Sequence, residues 1–233
     1  MKKLLMHVLL VASAIFGLQS AAYSQENRTV ADFTSISSGG NFNVYVRLGT
    51  TESLRIEGDE ELIKDIETEV VKGLLKIQYK TKKRYWDWNS SNKKRIDIYI
   101  TAKTLTNLSV SGSGDMKVEG SIQVPDFKAS VSGSGNMVLD AESVNLQGSV
   151  SGSGNLNLSG TAQNTELVVS GSGNLSAGNF KAKTASVTVS GSGNVNVAVE
   201  KSLEAVLSGS GNIKYSGDPE VSKTQSGSGR ISK

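Results

Sequence analysis

Through the second half of the chain, apolar and polar residues alternate with a period of two, and glycines interrupt the alternation at regular intervals. Around one such point Val187, Val189, Gly191, Gly193, Val195, Val197 and Val199 share one parity, while Thr188, Ser190, Ser192, Asn194 and Asn196 take the other. The same register recurs at Leu108, Val110, Gly112, Gly114, Met116 and Val118, at Val150, Gly152, Gly154, Leu156 and Leu158, and at Ala205, Leu207, Gly209, Gly211, Ile213 and Tyr215. A period of two is that of a strand with one buried and one wet face. Two glycines per unit and β-branched neighbours both oppose a helix.

The interruptions are copies of Ser-Gly-Ser-Gly. There are seven, starting at Ser111, Ser132, Ser151, Ser170, Ser190, Ser208 and Ser226, at intervals of 21, 19, 19, 20, 18 and 18 residues. The residue that follows is Asp115 in the first copy, Asn136, Asn155, Asn174, Asn194 and Asn212 in the next five, and Arg230 in the last. A fixed period near 20 residues means one supersecondary unit stacked on itself. The expected fold class is all-β: a parallel β-helix or solenoid with coils of about 19 residues, capped by an N-terminal β-rich region.

In that solenoid the glycines fall on the inward parity, where they permit a sharp bend or a close approach of two backbones. Stacked at roughly 4.8 Å per coil, the serines and asparagines form rows. The Asn136, Asn155, Asn174, Asn194 and Asn212 row is a structural ladder, facing either outward or inward at a corner with its amides bonded from coil to coil. Coils of this length hold two or three strands of about five residues each. Val, Leu, Ile and Met fill the interior, and Phe127, Phe180 and Tyr215 add bulk where the section widens. At the C-terminal end Lys223, Gln225, Arg230 and Lys233 replace apolar and asparagine positions of earlier copies, which blocks addition of a further chain.

Residues 25–106 have a different texture. Phe42, Val44, Val46 and Leu48 alternate with polar residues as a strand, and Leu54 and Ile56 mark a second, ended by Gly58. Asp59 caps a short helix or turn running to Ile66, with acidic residues at its start. Glu67–Val71 and Leu74–Tyr79 pair as a hairpin around Lys72-Gly73, and Ile96, Ile98 and Ile100 form a last strand. Ser37-Ser38-Gly39-Gly40-Asn41 reads as a degenerate repeat start. The organisation expected is thus a leader over 1–24, a β-rich capping region over 25–106 and the repeat solenoid over 107–233.

The leader is a secretory signal peptide. Lys2 and Lys3 precede an apolar run from Leu4 to Leu18, and small residues at Ser20, Ala21, Ala22 and Ser24 place cleavage after Ala22 or Ser24. The run is short for a membrane span of about 20 residues, so the mature chain is expected to be exported, to the periplasm, the cell surface or the medium, without a transmembrane segment. Export removes the single histidine, His7, and the chain has no cysteine. Ser-His-Asp and Cys-His catalysis and zinc sites built on His or Cys are then excluded. The mature chain carries 23 basic and 22 acidic residues, a balance with no global attraction for nucleic acid.

One segment between the hairpin and the last strand concentrates candidate chemistry. Lys80–Arg95 holds both tryptophans, Trp86 and Trp88, beside Arg84 and Tyr85, with seven basic residues in all. Aromatic faces with basic and amide neighbours suit sugar rings, anionic polysaccharide or a membrane interface; the alternative is a solvated hairpin tip whose tryptophans fold back on the sheet. Other motifs lead less far. Calcium β-rolls need carboxylates, and only Asp115 supplies one at the repeated position. Phosphate-cradling glycine loops need a following helix, whereas strands follow here. The acids noted in the repeats, Asp115, Glu119, Asp140, Glu142 and Glu166, form no obvious cluster, although a cleft with two acids within about 10 Å would favour a glycan-cleaving enzyme. No metal or cofactor is expected.

Phe33-x-x-Ile36, Phe42-x-Val44, the basic hairpin and above all the repeated Gly-Ser-Gly-Asn carry a resemblance to a known family. The chain resembles the head GIN domain family of auto-transporter adhesins, common in Bacteroidetes and formerly a domain of unknown function, over about residues 30–216. The resemblance implies a β-helical fold and an adhesin role, and supplies no catalytic residues. The expected function is a non-enzymatic cell-envelope protein with polysaccharide or cell-surface glycan as partner and Arg84, Tyr85, Trp86 and Trp88 as ligand contacts. The alternatives are a polysaccharide lyase or hydrolase and a structural periplasmic protein without a small ligand.

Overall fold

The first turn of the solenoid in sequence is not the first in space. The computed structural model describes residues 23–80 and 96–233. Its N-terminal half contains β1 (Tyr23–Arg28), β2 (Ser35–Gly40), β3 (Asn43–Leu48), β4 (Ser53–Asp59), α1 (Glu60–Lys64), β5 (Ile66–Val71), β6 (Leu74–Tyr79) and β7 (Asp97–Ala102). The repeats follow as β8 (Asn107–Gly112), β9 (Asp115–Gln123), β10 (Asp126–Gly133), β11 (Asn136–Gly152), β12 (Asn155–Gly171), β13 (Asn174–Gly191), β14 (Asn194–Gly209), β15 (Asn212–Ser216), β16 (Glu220–Ser226) and β17 (Arg230–Ser232). β2 pairs in parallel with both β6 and β8, and β3 with both β7 and β9. The coil made of β2 and β3 is therefore threaded between the coil of β6 and β7 and the coil of β8 and β9.

Local chemistry explains the detour between β3 and β6. The Asp59 carboxylate accepts from the N–H groups of Glu61 and Leu62, which starts α1. Lys72 and Gly73 both take positive φ, 50° and 77°, closing β5 on β6 as an antiparallel hairpin. β4 runs antiparallel to β7, with β1 antiparallel on its far side. Thus, among the described residues, β5 and β1 are the outermost strands of the two hydrogen-bonded columns at this end of the molecule. The degenerate motif finds its place as well: Gly40 lies opposite Gly112, and Asn43 opposite Asp115.

From Asn107 onward the coils are parallel and in register on both sides of the Ser-Gly-Ser-Gly motif, with shifts confined to the stretch between motifs. Val110, Val131, Val150, Val169, Val189 and Leu207 form one buried row, and Met116, Met137, Leu156, Leu175, Val195, Ile213 and Ile231 another. Phe127, Phe180 and Tyr215 are all buried, Phe180 opposite Gly160, where no side chain competes for the space. Strand length differs from the expected five residues. β11 to β14 run for 16–18 residues, because parallel pairing continues through the bends that lie between one Ser-Gly-Ser-Gly motif and the next.

The Ser-Gly-Ser-Gly motif makes the corner at which these long strands end and the next begin. Its first glycine has positive φ, 116° at Gly171, a conformation that favours glycine. Its second glycine packs backbone on backbone: a Cβ on Gly193 would overlap the carbonyl oxygen of Gly173 and Cγ1 of Val169. The Gly171 carbonyl accepts from the N–H groups of Ser192 and Gly193 at 2.9 and 3.0 Å, so the corner leaves both donors paired.

Candidate functional site

The expected asparagine ladder faces outward. Asn155, Asn174, Asn194 and Asn212 each donate from Nδ2 to Oδ1 of the asparagine one coil earlier, at 2.7, 2.9, 2.9 and 2.9 Å. Asn136 donates to Asp115 Oδ1 at 2.6 Å. With its amides bonded to one another, this row is scaffold first. Arg84, Tyr85, Trp86 and Trp88 lie outside the described residues.

A second polar row, which the sequence reading passed over, borders a groove. Asn145 donates to Asp126, Asn164 to Asn145, and Thr184 Oγ1 to Asn164 Oδ1, at 2.7, 2.9 and 3.2 Å. Ser202 and Glu220 continue the row by register. Two residues further on, Gln147, Glu166, Ser186, Glu204 and Ser222 form a parallel outward row, in which Gln147 donates to Glu166 at 3.1 Å. Between them Leu146, Thr165, Ala185, Leu203 and Val221 point inward. An inward residue flanked by two outward ones leaves a valley, and parallel in-register coils join the valleys lengthwise. The result is a groove of about 840 Å³ along the solenoid.

Its chemistry is acidic and amide-rich. Asp126, Glu166, Glu204 and Glu220 line it, and no lysine or arginine among the described residues does. These four acids are strung along the groove on four different coils, β10, β12, β14 and β16, rather than gathered at one point. Glu204 and Glu220 lie on adjacent coils; their spacing in the chain hides this, whereas aligning the copies on the period reveals it. All four carboxylates are exposed, without the apolar enclosure that a general acid requires. Thr165, on the floor, is buried, and its Oγ1 has no hydrogen-bond partner.

A second cleft, of about 660 Å³, opens at the N-terminal end, between β1, β3, β4 and β7. Here Tyr45 and Tyr99, directly opposite each other on β3 and β7, stack with ring centroids 5.1 Å apart and an interplanar angle of 19°. The Arg55 guanidinium lies 4.4 Å from the Tyr99 centroid, and Arg47 donates from Nε to Thr101 Oγ1 at 3.0 Å. Among the described residues no group of His, Cys, Asp and Glu is arranged to hold a metal ion.

The architecture is that of an all-β parallel solenoid with outward polar ladders. Residues 32–219 match the family model described as putative auto-transporter adhesin, head GIN domain, and the chain belongs to that family. It is similar in structure to a protein from Bacteroides fragilis described as a putative adhesin, with a TM-score of 0.83 and 28% identity over 91% of this chain and 97% of that one. A protein from Parabacteroides distasonis described as a putative lipid binding protein matches with a TM-score of 0.69 and 25% identity, over 91% and 97% of the two chains. A putative adhesin from the same species shares the fold at a TM-score of 0.70 and 21% identity, over the same shares. No functionally curated protein is detectably similar in sequence.

Proposed function

We propose that the protein is an exported, non-enzymatic adhesin of the cell envelope that holds an extended polysaccharide along the lateral groove. The observation that carries this reading is the continuity of the groove over six coils, with polar walls and a partly apolar floor. Its step, roughly 4.8 Å per coil, is close to the length that one pyranose ring adds to an extended glycan. Carboxylates and amides along the walls accept from and donate to sugar hydroxyls, and the Thr165 hydroxyl at the floor has no protein partner. With four acids and no base among the described residues of the lining, the groove favours neutral or amino-bearing sugars and repels uronates.

Export rests on the leader, Lys2 and Lys3 followed by Leu4–Leu18. Cleavage after Ala22 leaves β1 whole, whereas cleavage after Ser24 removes the partners of Asp59 and Gly58. The compartment proposed is the periplasm or cell surface. No helix among the described residues is long and apolar enough to cross a membrane. The Arg84, Tyr85, Trp86 and Trp88 segment is a second glycan contact in this reading. There the Trp86→Ala, Trp88→Ala double variant weakens binding by roughly tenfold with the melting temperature unchanged.

The test is a glycan array probed with the mature protein and with Ser186→Trp, which places a large ring mid-groove. Retention of neutral chains by the parent and their loss in Ser186→Trp is the expected result. Absence of neutral-glycan binding, or equal binding by the plugged variant, overturns it. The adjacency of Glu204 and Glu220 favours one second reading, a glycan hydrolase. Release of reducing ends from a bound chain, abolished in Glu204→Gln, would establish that reading instead.

A further inference from the structure

We infer that the cleft between Tyr45, Arg47, Arg55 and Tyr99 is an anion site that takes the charged groups of an acidic polysaccharide. The inference is independent of the groove, which carries the opposite charge and lies on the other hydrogen-bonded column.

The geometry of the tyrosine pair decides what the cleft can recognise. Tyr45 and Tyr99 are register partners on adjacent strands, and their centroid separation of 5.1 Å is close to the strand spacing. The rings therefore stack along the sheet, face to face, and the Arg55 guanidinium covers Tyr99 from the β4 side. What such a stack turns to its flank is ring edge and phenolic oxygen, not ring face. Ring edges are the electropositive part of the aromatic quadrupole, so the flank favours an anion.

The arginines supply the charge. Arg47, in the next outward position of β3, is exposed, and its Nε is held by Thr101 Oγ1. The bond fixes one edge of the guanidinium and leaves both Nη groups without an acceptor among the described residues. Such a fork suits a carboxylate or sulfate, which accepts two parallel N–H bonds. Arg55 adds a second cation, partly offset by Glu57 at 3.2 Å from its Nε. The remaining charges in the lining are spoken for or peripheral. Arg28 donates to the carbonyls of Ile63 and Ile66. Glu52 accepts from the Asp32 N–H and from Lys103. Glu119 is opposite Arg47 in register and closes no ion pair with it; it sets an outer limit to the cation's free field. The cleft floor of Val46, Leu54 and Ile100 is buried and apolar, as a sugar ring beside its charged group requires.

The experiment measures binding of tri-galacturonate, a sulfated disaccharide and a neutral trisaccharide to the mature protein by calorimetry, with Arg47→Gln, Arg47→Lys and the groove variant Ser186→Trp beside the parent. The expected result is salt-sensitive binding of an acidic probe, weakened roughly tenfold or more by Arg47→Gln, partly restored in Arg47→Lys, and unaffected by Ser186→Trp. Preference between the two acidic probes tells whether carboxylate or sulfate is the charged group. Equal acidic binding by Arg47→Gln, with its melting temperature that of the parent, overturns the inference, as does failure of both acidic probes to bind the parent. Because the groove is tested with neutral chains, either reading can fail without the other.

Discussion

Asn136 donates to Asp115 at 2.6 Å, the shortest link in a row where every amide donates toward the N-terminal end of the solenoid. A row polarised in this way needs an acceptor at its head, and a carboxylate is acceptor-only. The aspartate in the first repeat, where five later copies have asparagine, thus closes the ladder.

That relationship makes a measurable prediction. Asp115→Leu removes the acceptor from a bond at the surface, so water partly replaces it and the loss is about 1 kcal/mol. Asp115→Asn retains an acceptor and costs less. Asn174→Ala breaks two links, to Asn155 and from Asn194, and costs more than Asp115→Leu. Urea unfolding of the three variants checks the order, and an Asp115→Asn variant less stable than Asp115→Leu would remove the closing role.

The corner glycines give a sharper contrast. Gly193→Val directs three carbons at the Gly173 carbonyl, which is backbone of the stacked coil, and at the buried Val169 side chain. A loss of about 3 kcal/mol or more is expected, on the scale of overpacking. Ser192→Ala, one residue away and exposed, changes stability by about 0.5 kcal/mol or less. Thermal melts in which the serine variant were the worse of the two would contradict the packing described.

How far the sequence carries the fold is clear from these residues. The period and the parity lead directly to parallel coils, because each fixes a register that a one-residue slip would destroy. The Lys72-Gly73 turn and the Asp59 cap were equally readable, since both depend on neighbours in the chain. Long-range pairing was not: nothing in Ser35–Leu48 says that it inserts between residues 74–102 and residues 107–123. The groove shows the same limit at the level of the site. Asp126, Asn145, Asn164, Thr184, Ser202 and Glu220 follow the same spacing as the glycine motif, at 19, 19, 20, 18 and 18 residues. Their types change from coil to coil, so no motif marks them. The Tyr45–Tyr99 stack depends wholly on the inserted coil and had no local signal.

Acid should weaken the N-terminal end through Glu52. The N–H of Asp32 donates to its carboxylate at 3.0 Å, and this bond, with Lys103 beside it, holds the carboxyl below its ordinary 4.5 although burial opposes the shift. Because the folded value is the lower one, the contribution to stability is fully present above 4.5 and is lost as pH falls through the folded value. Glu52→Gln should therefore be less stable than the parent at neutral pH, and the gap should narrow as the pH is lowered below 4.5. Melting temperatures of both proteins across that range test it; a gap that widened in acid would reverse the sign and remove Glu52 as its source.

The C-terminal coil offers the last test. Lys223 stands in register with Ala205, Gln225 with Leu207 and Arg230 with Asn212, so three polar side chains replace two core positions and one ladder position. Each of the first two has a local partner: Lys223 Nζ lies 5.1 Å from the Tyr215 centroid, and Gln225 donates to the Gly229 carbonyl at 2.8 Å. The outer edges of β16 and β17 have no strand beside them among the described residues. An uncovered edge is a template for another chain unless charge and shape oppose it. The combined variant Lys223→Ala, Gln225→Leu, Arg230→Asn recreates the preceding coil at that edge. It should associate end to end with rising concentration, visible as an increase in sedimentation coefficient over the parent. A triple variant that sediments as the parent does at every concentration would show that these three residues do not guard the edge.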